Sequence, residues 1–572
     1  MSDFELDDRR RAILAAHGHL LIEGGPGCGK TTIALLKARK SAEALKAEQR
    51  VLFLSFSRAA VRQVTDRTRT TLSAAEGAVL DIRTFHSFFL GLIRSHGRIL
   101  TGGPMRFFTP EREAQRRADF AGDAGAWADE VRRLAAEDSI YVFDTLAPAA
   151  AELLEGSKSL RALYSDRYPL LIVDEFQDTN FGQWRAVRAF SERSMVICLA
   201  DPDQRIFDHI EGVDEQRLAD VKTTLNPHTF DLSSDNHRSP ASGILEYANG
   251  VLRNLPTIAP DDVHTYTYQY ESPELFTHAL TKAAMDYLQS KLGTSPTLAI
   301  LTRVNTFAGR ISESLSVEEW RKGSKLPPLD HTLFWDPELA AASALVVASV
   351  LEWPTMTSEA ALLGTLHSIA DYCRVKVGLG TAGARDTVTT IERAIAAIQT
   401  GTIIRAKTAK LLADAVENAP YLTGRAVDDW QLARSVLRGS VELNEISTKA
   451  RLIRLLNATD ALAWSLAGTW NGISGYSGAV EAVRTALASE AVNVQQVDDS
   501  PIHVMTMHKS KGKEYDGVII VEARYGLPLL DPDPGSKQQD ADRRLLRVAI
   551  TRARHLVVLL RPFNAAPLTS SP

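Results

Sequence analysis

Short runs of unbroken apolar residues recur along this chain in two blocks, with helix-spaced stretches between them. The first block contains "HLLIEGG", "VLFLSFS", "YPLLIVDE" and "SMVICLADPD"; the second contains "TLAILTR", "IHVMTM", "DGVIIVEA" and "HLVVLL". Apolar runs of strand length without polar alternation predict strands covered on both faces, and their alternation with helices predicts α/β layers built on parallel sheets. Two mainly helical stretches interrupt the blocks. One, at 95–139, is rich in Ala, Arg and Glu; the other, at 355–500, is rich in Ala and Leu. The expected organisation is therefore a first sheet domain over 1–94 and 140–228 and a second over 229–354 and 501–572, with helical insertions at 95–139 and 355–500. The apolar run Leu339–Leu351 is too short for a membrane span and reads as a buried helix. "DPDPGSKQQDADRR", Asp531 to Arg544, reads as a mobile loop. No fixed repeat is visible.

Composition narrows the class only slightly. A chain of 572 residues exceeds one core, so several domains are expected. A formal net charge of -5 excludes a generally basic molecule but permits a locally basic channel. The N-terminus has charges where a signal peptide needs an apolar segment. Cys28, Cys198 and Cys373 show no CxxC spacing, so neither a disulfide framework nor a zinc site is expected, and a reducing, cytoplasmic home follows.

The chemistry starts at "GGPGCGKTT", which fits G-x-x-x-x-G-K-[ST] through Gly24, Gly29, Lys30 and Thr31. A strand-like "LLIE" precedes it and a helical "TTIALLKARK" follows. In that context the backbone N–H groups of Gly25, Gly27, Cys28, Gly29, Lys30, Thr31 and Thr32 can converge on phosphate oxygens. Lys30 reaches the terminal phosphates, and the Thr31 hydroxyl suits Mg²⁺. Cys28 occupies a position open to any small residue.

"VDEFQDTN" places Asp174 and Glu175 directly after an apolar strand, where open α/β sheets carry their chemistry. Asp174 is the candidate Mg²⁺ partner, and Glu175 the group that orients and deprotonates an attacking water. Taken alone, two acids at a strand end fit a helix cap equally well; the phosphate loop upstream favours catalysis.

With "TFHSFF" at Thr84, "ADPDQRIF" at Ala200, "SSDNHRS" at Ser233, "TMHKSKGKEYDGV" at Thr506 and "RRLLRVAITRAR" at Arg543, these motifs resemble, in order, the UvrD, Rep and PcrA type of superfamily 1 helicases. The resemblance implies two RecA-like motor domains with ATP and Mg²⁺ at their seam. It implies that Gln204 senses the γ-phosphate, that Arg238 and Arg552 reach it from the second domain, and that Glu514 lies near the nucleotide sugar. It also implies a single-stranded groove, with single-stranded or tailed DNA as partner and movement 3′ to 5′. Candidate contacts with the strand are Phe56, Arg58, Thr84, His86, Phe207 and His209 in the first domain, and His508, Lys509 and Lys511 in the second. Arg62, Arg67, Arg69, Arg94 and Phe85 are further candidates, with Phe85 and Phe88 equally readable as core.

Several positions depart from the family pattern. Arg9 aligns with the glutamine that reads adenine, His237 stands where a tyrosine packs on the base, and Thr32 replaces a basic residue. Relaxed base selectivity is expected. His209 and Ile210 replace a tryptophan and an arginine on the track, so a weaker grip is expected. The 18 residues after Arg554 leave no room in this sequence for a fused nuclease domain. The expected activity is a DNA-stimulated ATPase and single-strand translocase or helicase, without a membrane role. The alternative is a nucleotide-gated DNA-sensing or recruitment subunit, partnered by a nuclease or repair factor, for example in an anti-phage complex, without processive unwinding.

Overall fold

The computed structural model describes residues 6–108, 112–113, 116–117, 120, 124–206, 212–213, 215–233, 235, 237–239, 242–334, 337–378, 383–450, 461–493, 500–524 and 528–570. They fall into two compact units: 1–99 with 146–334 and 497–572, and 100–145 with 335–496.

The first unit holds two six-stranded sheets, and every pairing in both is parallel. In the first sheet the strands are β1 (Leu20–Glu23), β2 (Val51–Ser55), β3 (Leu80–Thr84), β4 (Leu170–Val173), β5 (Met195–Ala200) and β6 (His228–Asp231), in the order β3-β2-β4-β5-β1-β6. In the second they are β7 (Val263–Tyr268), β8 (Leu298–Thr302), β9 (Thr332–Leu333), β10 (Ile502–Thr506), β11 (Tyr515–Val521) and β12 (Ala553–Pro562), in the order β9-β10-β8-β11-β12-β7. The fold class is therefore α/β with two RecA-like bodies.

Each unbroken apolar run became an interior strand, because a central strand of a parallel sheet buries both faces. All residues of β2 and β4 are buried, and Ile33, Ala34, Leu35 and Ala38 of the helix Lys30–Ala42 pack into the same core. Each such side chain contributes roughly 1.5–3 kcal/mol when fully buried, Ala less. Sharing that core fixes the phosphate-loop helix against the strands that carry the acidic residues.

The stretch expected to be a mobile loop from Asp531 is corrected: from Lys537 to Ile550 it is helical, with Ser536 Oγ accepting from Gln539 N at its start. Its charged residues hid the helix because several of them are interior. Asp542 pairs with Arg303 at 2.5 Å, and Arg543 donates to the carbonyls of Val251 and Leu568 at 2.7 and 2.9 Å.

The second unit is mainly helical. The run Leu339–Leu351 lies in the helix Pro337–Glu352, which is buried among the helices Ser358–Gly378, Val441–Ala450 and Ala479–Asn493. Two polar groups in this core are paired: Trp353 Nε1 donates to Thr365 Oγ1 at 2.8 Å, and the Tyr476 hydroxyl donates to Asp429 Oδ2 at 2.7 Å. A smaller cluster forms around Trp127, Val131 and Val142. Among the described residues, no helix is long and apolar enough to cross a membrane.

Candidate nucleotide site

In the first sheet β4, β5 and β1 are neighbours, so their C-terminal ends deliver Asp174, Asp201 and the phosphate loop to one edge. That edge is where a parallel sheet places its ligands. Gly24 N donates to the Ala200 carbonyl at 3.0 Å, tying the loop to β5. Gly29 caps the helix Lys30–Ala42 with φ 90°, a left-handed conformation that favours glycine. Lys30 Nζ folds over the loop onto the carbonyls of Gly24 and Gly25, at 2.5 and 3.0 Å. Cys28 is buried, its sulfur 3.8 Å from that ammonium.

A cleft of about 300 Å³ opens here. Gly25, Gly27, Cys28, Gly29, Lys30, Thr31, Thr32, Asp174, Glu175, Gln204, His237, Arg238, Glu514 and Arg552 all line it, so the residues expected around the nucleotide are brought to one place, Arg9 excepted. Gln63, Arg67, Gly512 and Arg554 line it too. Arg67, expected along the strand's track, lines the cleft instead, held by Glu514, 447 residues away.

The acidic pair is divided by its surroundings. Glu175 has φ 52°, an unusual backbone for a side chain of its size, and receives the Gln177 amide on Oε2 at 2.6 Å. Burial would raise its carboxyl, but Lys511, with Nζ 3.5 Å away, and Lys30 outweigh that and lower it. Burial, reinforced by the neighbouring Glu175, pushes Asp174 up to about 7. Thr31 and Asp174 thus offer two hard oxygen donors in one cleft, a set that fits Mg²⁺, which takes few protein ligands and completes its shell with water and phosphate oxygens.

The cations come from two segments: Arg552 leads directly into β12 of the second sheet, and Arg238 follows β6 of the first. Arg552 is 2 % exposed, and its guanidinium donates to the Val548 carbonyl at 2.8 Å and to Gln204 Oε1 at 3.4 Å. Burial, with Arg238 alongside, pulls it down to about 9. A guanidinium keeps its proton at neutral pH, so Arg552 stays a buried cation, its burial partly offset by Glu175, Glu514 and Asp201. Arg238 donates to the Thr551 carbonyl at 2.9 Å and to Glu514 Oε1 at 2.6 Å. Arg67 and Arg554 meet the same carboxylate at 2.8 and 3.0 Å. Burial would raise Glu514, yet these three arginines hold it well below the usual carboxylate range.

The base end differs from its expected form. Arg9 is exposed, and its guanidinium donates to the Asp231 carbonyl at 3.2 Å. It is Arg10 that turns inward, donating to the Cys28 carbonyl at 3.0 Å and to Asp235 at 2.6 Å, with His237 Nε2 also 3.0 Å away. The helix Asp8–Ala15 buries Arg10 and Ile13 on one side, which leaves Arg9 on the other.

The expected track residues are dispersed. Phe56 is half-buried and meets Phe85 edge to face at 5.4 Å; Phe85 and Phe88 are core. Thr84 Oγ1 accepts from Ser87 N at 3.1 Å and caps the helix Phe85–His96, whose first turn carries His86. His508 and Lys509 lie half-buried in a short 3₁₀ turn, with Lys509 Nζ 3.3 Å from Asn305 Oδ1. Lys511 is corrected: it is buried, its ammonium bonded to Asp178 and, at 2.6 Å, to the Gln204 carbonyl. It faces carboxylates of the first body, where a strand's phosphates would be repelled. The side chain of Arg58 and residues Phe207 and His209 lie outside the described residues.

A phosphate loop, a strand-end acid pair and arginines from a second RecA-like body define a P-loop NTPase with its site at a seam. Comparison with known proteins shows what the chain is similar to. Residues 9–208 match the AAA domain family, and residues 501–560 match the UvrD-like helicase C-terminal domain. The chain is 23% identical to the ATP-dependent DNA helicase PcrA of Leuconostoc citreum, covering 97% of this chain and 81% of that one. It is 23% identical to the ATP-dependent DNA helicase UvrD1 of Mycobacterium leprae, covering 97% and 82%. A shorter match, 31% over 29% of this chain and 15% of the other, is to the RecB subunit of the RecBCD enzyme of Mycolicibacterium smegmatis. The chain is similar to UvrD- and PcrA-type helicases along nearly its whole length, as its ordered motifs implied.

Proposed function

We propose that this protein is a single-strand-stimulated ATPase that couples hydrolysis at the seam of its two sheets to movement along DNA in the 3′ to 5′ direction. One observation carries the reading: Arg238 and Arg552, from the second body, line the same cleft as Lys30 and Glu175 from the first. The PcrA and UvrD1 relatives, named ATP-dependent DNA helicases, support it, and the direction rests on the ordered motifs.

In this reading Lys30 leaves the loop carbonyls for the terminal phosphates. Glu175, kept ionised by Lys511 and Lys30, accepts the proton of the attacking water. Thr31 and Asp174 would hold Mg²⁺, which neutralises phosphate charge when bound. Arg238 and Arg552 stabilise the transferring phosphoryl, and since they belong to another body, that contact exists only when the cleft is closed. Closure is thereby tied to the triphosphate, and Thr84 and His86, at the junction of β3 with the following helix, and His508 and Lys509, in the turn after β10, transmit it to the strand. The helical stretches 95–139 and 355–500 serve as accessory insertions.

The test is phosphate release with and without single-stranded DNA in the wild type, Lys30→Ala and Glu175→Gln, run beside translocation and strand-displacement assays. Stimulated hydrolysis lost in both variants is the expected result. Hydrolysis untouched by either variant overturns the site, and DNA binding gated by nucleotide without movement favours a sensing or recruitment subunit.

A further inference from the structure

Besides the nucleotide cleft, the first unit carries a second cavity, of about 320 Å³, between the helices Phe85–His96 and Lys158–Arg167. Tyr168, in its wall, directly precedes the β4 region, so the cavity sits at the end of that strand opposite Asp174 and Glu175. Its floor is aromatic. Phe88 meets Tyr164 and Tyr168 edge to face, with ring centroids 6.0 Å apart in each pair. Leu163 stands at the rim, 58% exposed.

Two guanidiniums border this floor, and each is held through its Nε alone. Arg83 Nε donates to Asp81 Oδ1 at 2.7 Å, and Arg167 Nε donates to the Tyr168 hydroxyl at 3.2 Å. That hydroxyl donates in turn to Asp81 Oδ2 at 2.7 Å. Asp81 therefore orients the whole group, while the terminal nitrogens of both arginines have no acceptor among the described residues. The lining itself contains no Asp or Glu, on a chain whose formal net charge is -5. A guanidinium offers a rigid fork of donors suited to carboxylates. An apolar cavity of this size beside two such forks takes one large side chain flanked by acids.

We infer that this cavity docks an acidic segment of a partner protein, with one aromatic side chain seated on Phe88, Tyr164 and Tyr168 and neighbouring carboxylates paired with Arg83 and Arg167. A nucleic-acid base is the poorer occupant. Its polar edge carries donors as well as acceptors; the two guanidiniums can only donate, and the Tyr168 hydroxyl is already committed to Asp81, so a base's donors go unmatched. A phenyl ring needs none and gains the edge-to-face contacts.

The probe is a fluorescein-labelled peptide, DEDFDE, titrated with the full chain and followed by anisotropy, alongside DEDSDE, KRKFKR and an unlabelled oligothymidylate competitor. Saturable binding of DEDFDE is expected. It should weaken about tenfold or more for DEDSDE, for Arg83→Glu with Arg167→Glu, and with rising salt. Leu163→Glu, a change at an exposed rim position, should weaken it similarly while leaving nucleotide hydrolysis unchanged. Absence of saturable binding, binding indifferent to all these variants, equal binding of KRKFKR, or displacement by oligothymidylate would each overturn the proposal.

Discussion

Lys511, which follows β10 of the second sheet, places its ammonium on the carboxylate of Asp178, which follows β4 of the first. Both side chains are almost wholly buried, at 7% and 0% exposure. Removing one partner of such a pair strands the other charge, at a cost of about 3–5 kcal/mol. Lys511→Met should therefore lower the unfolding free energy by about that much, and Asp178→Asn by a similar amount. The double variant should lose clearly less than the sum of the two. Denaturant unfolding of the three proteins measures this, and additive losses would mean that the two groups do not interact.

Glu514 gives the seam a pH dependence of known sign. Its folded carboxyl is held below the usual range by Arg238, Arg67 and Arg554, so its contribution is fully present above the unfolded carboxylate range and is lost as pH falls. Between the unfolded and folded values the unfolded chain binds one proton more. Glu514→Gln should therefore be less stable than the wild type at neutral pH but flatten the acid limb by up to about 1.4 kcal/mol per pH unit below pH 5. Denaturant midpoints from pH 3 to 7 test this, and parallel curves would refute it.

What could be seen in advance depended on how local the cause was. β2 and β4 were legible because central strands bury every residue and so read as unbroken apolar runs. The edge strands were not: β6 is "HTFD", largely exposed, and β7 is "VHTYTY", exposed at its four inner positions. An edge strand is defined by its single neighbour, not by its composition. The phosphate loop was legible for the opposite reason, since its glycines and lysine act within nine residues. The errors at Lys511 and Arg67 share one cause. Each reads as a strand contact on a basic stretch, and each is fixed by a carboxylate hundreds of residues away, Asp178 and Glu514.

Arg10 connects the N-terminal helix to the phosphate loop through the Cys28 carbonyl, a contact with backbone and not with a base. Arg10→Ala should raise the KM for ATP, GTP, CTP and UTP by similar factors and leave the ratios among their kcat/KM values nearly unchanged. The stability cost should be modest, about 1–2 kcal/mol, because Asp7 and Asp235 keep partial access to water. Steady-state hydrolysis with each nucleotide provides the check. A loss confined to ATP would show that Arg10 reads the base directly.

Gly24 is required for closeness of approach. A Cβ there would lie 2.6 Å from Cys28 Sγ and 3.2 Å from both the carbonyl carbon and Cβ of Leu232. The first contact forces the Cys28 sulfur, or the loop that holds it, to shift, and a displacement near 1 Å at a reacting centre costs about a hundredfold in rate. Gly24→Ala should therefore reduce kcat by about that factor, while Cys28→Ala alone, which removes only a buried sulfur, should be mild. Combining them deletes the 2.6 Å clash and leaves the tight but tolerable contacts with Leu232, so the double variant should recover much of the lost activity. If Gly24→Ala is equally inactive with and without Cys28, the sulfur is not what excludes a side chain from this loop, and the β6 side of the contact sets its position instead.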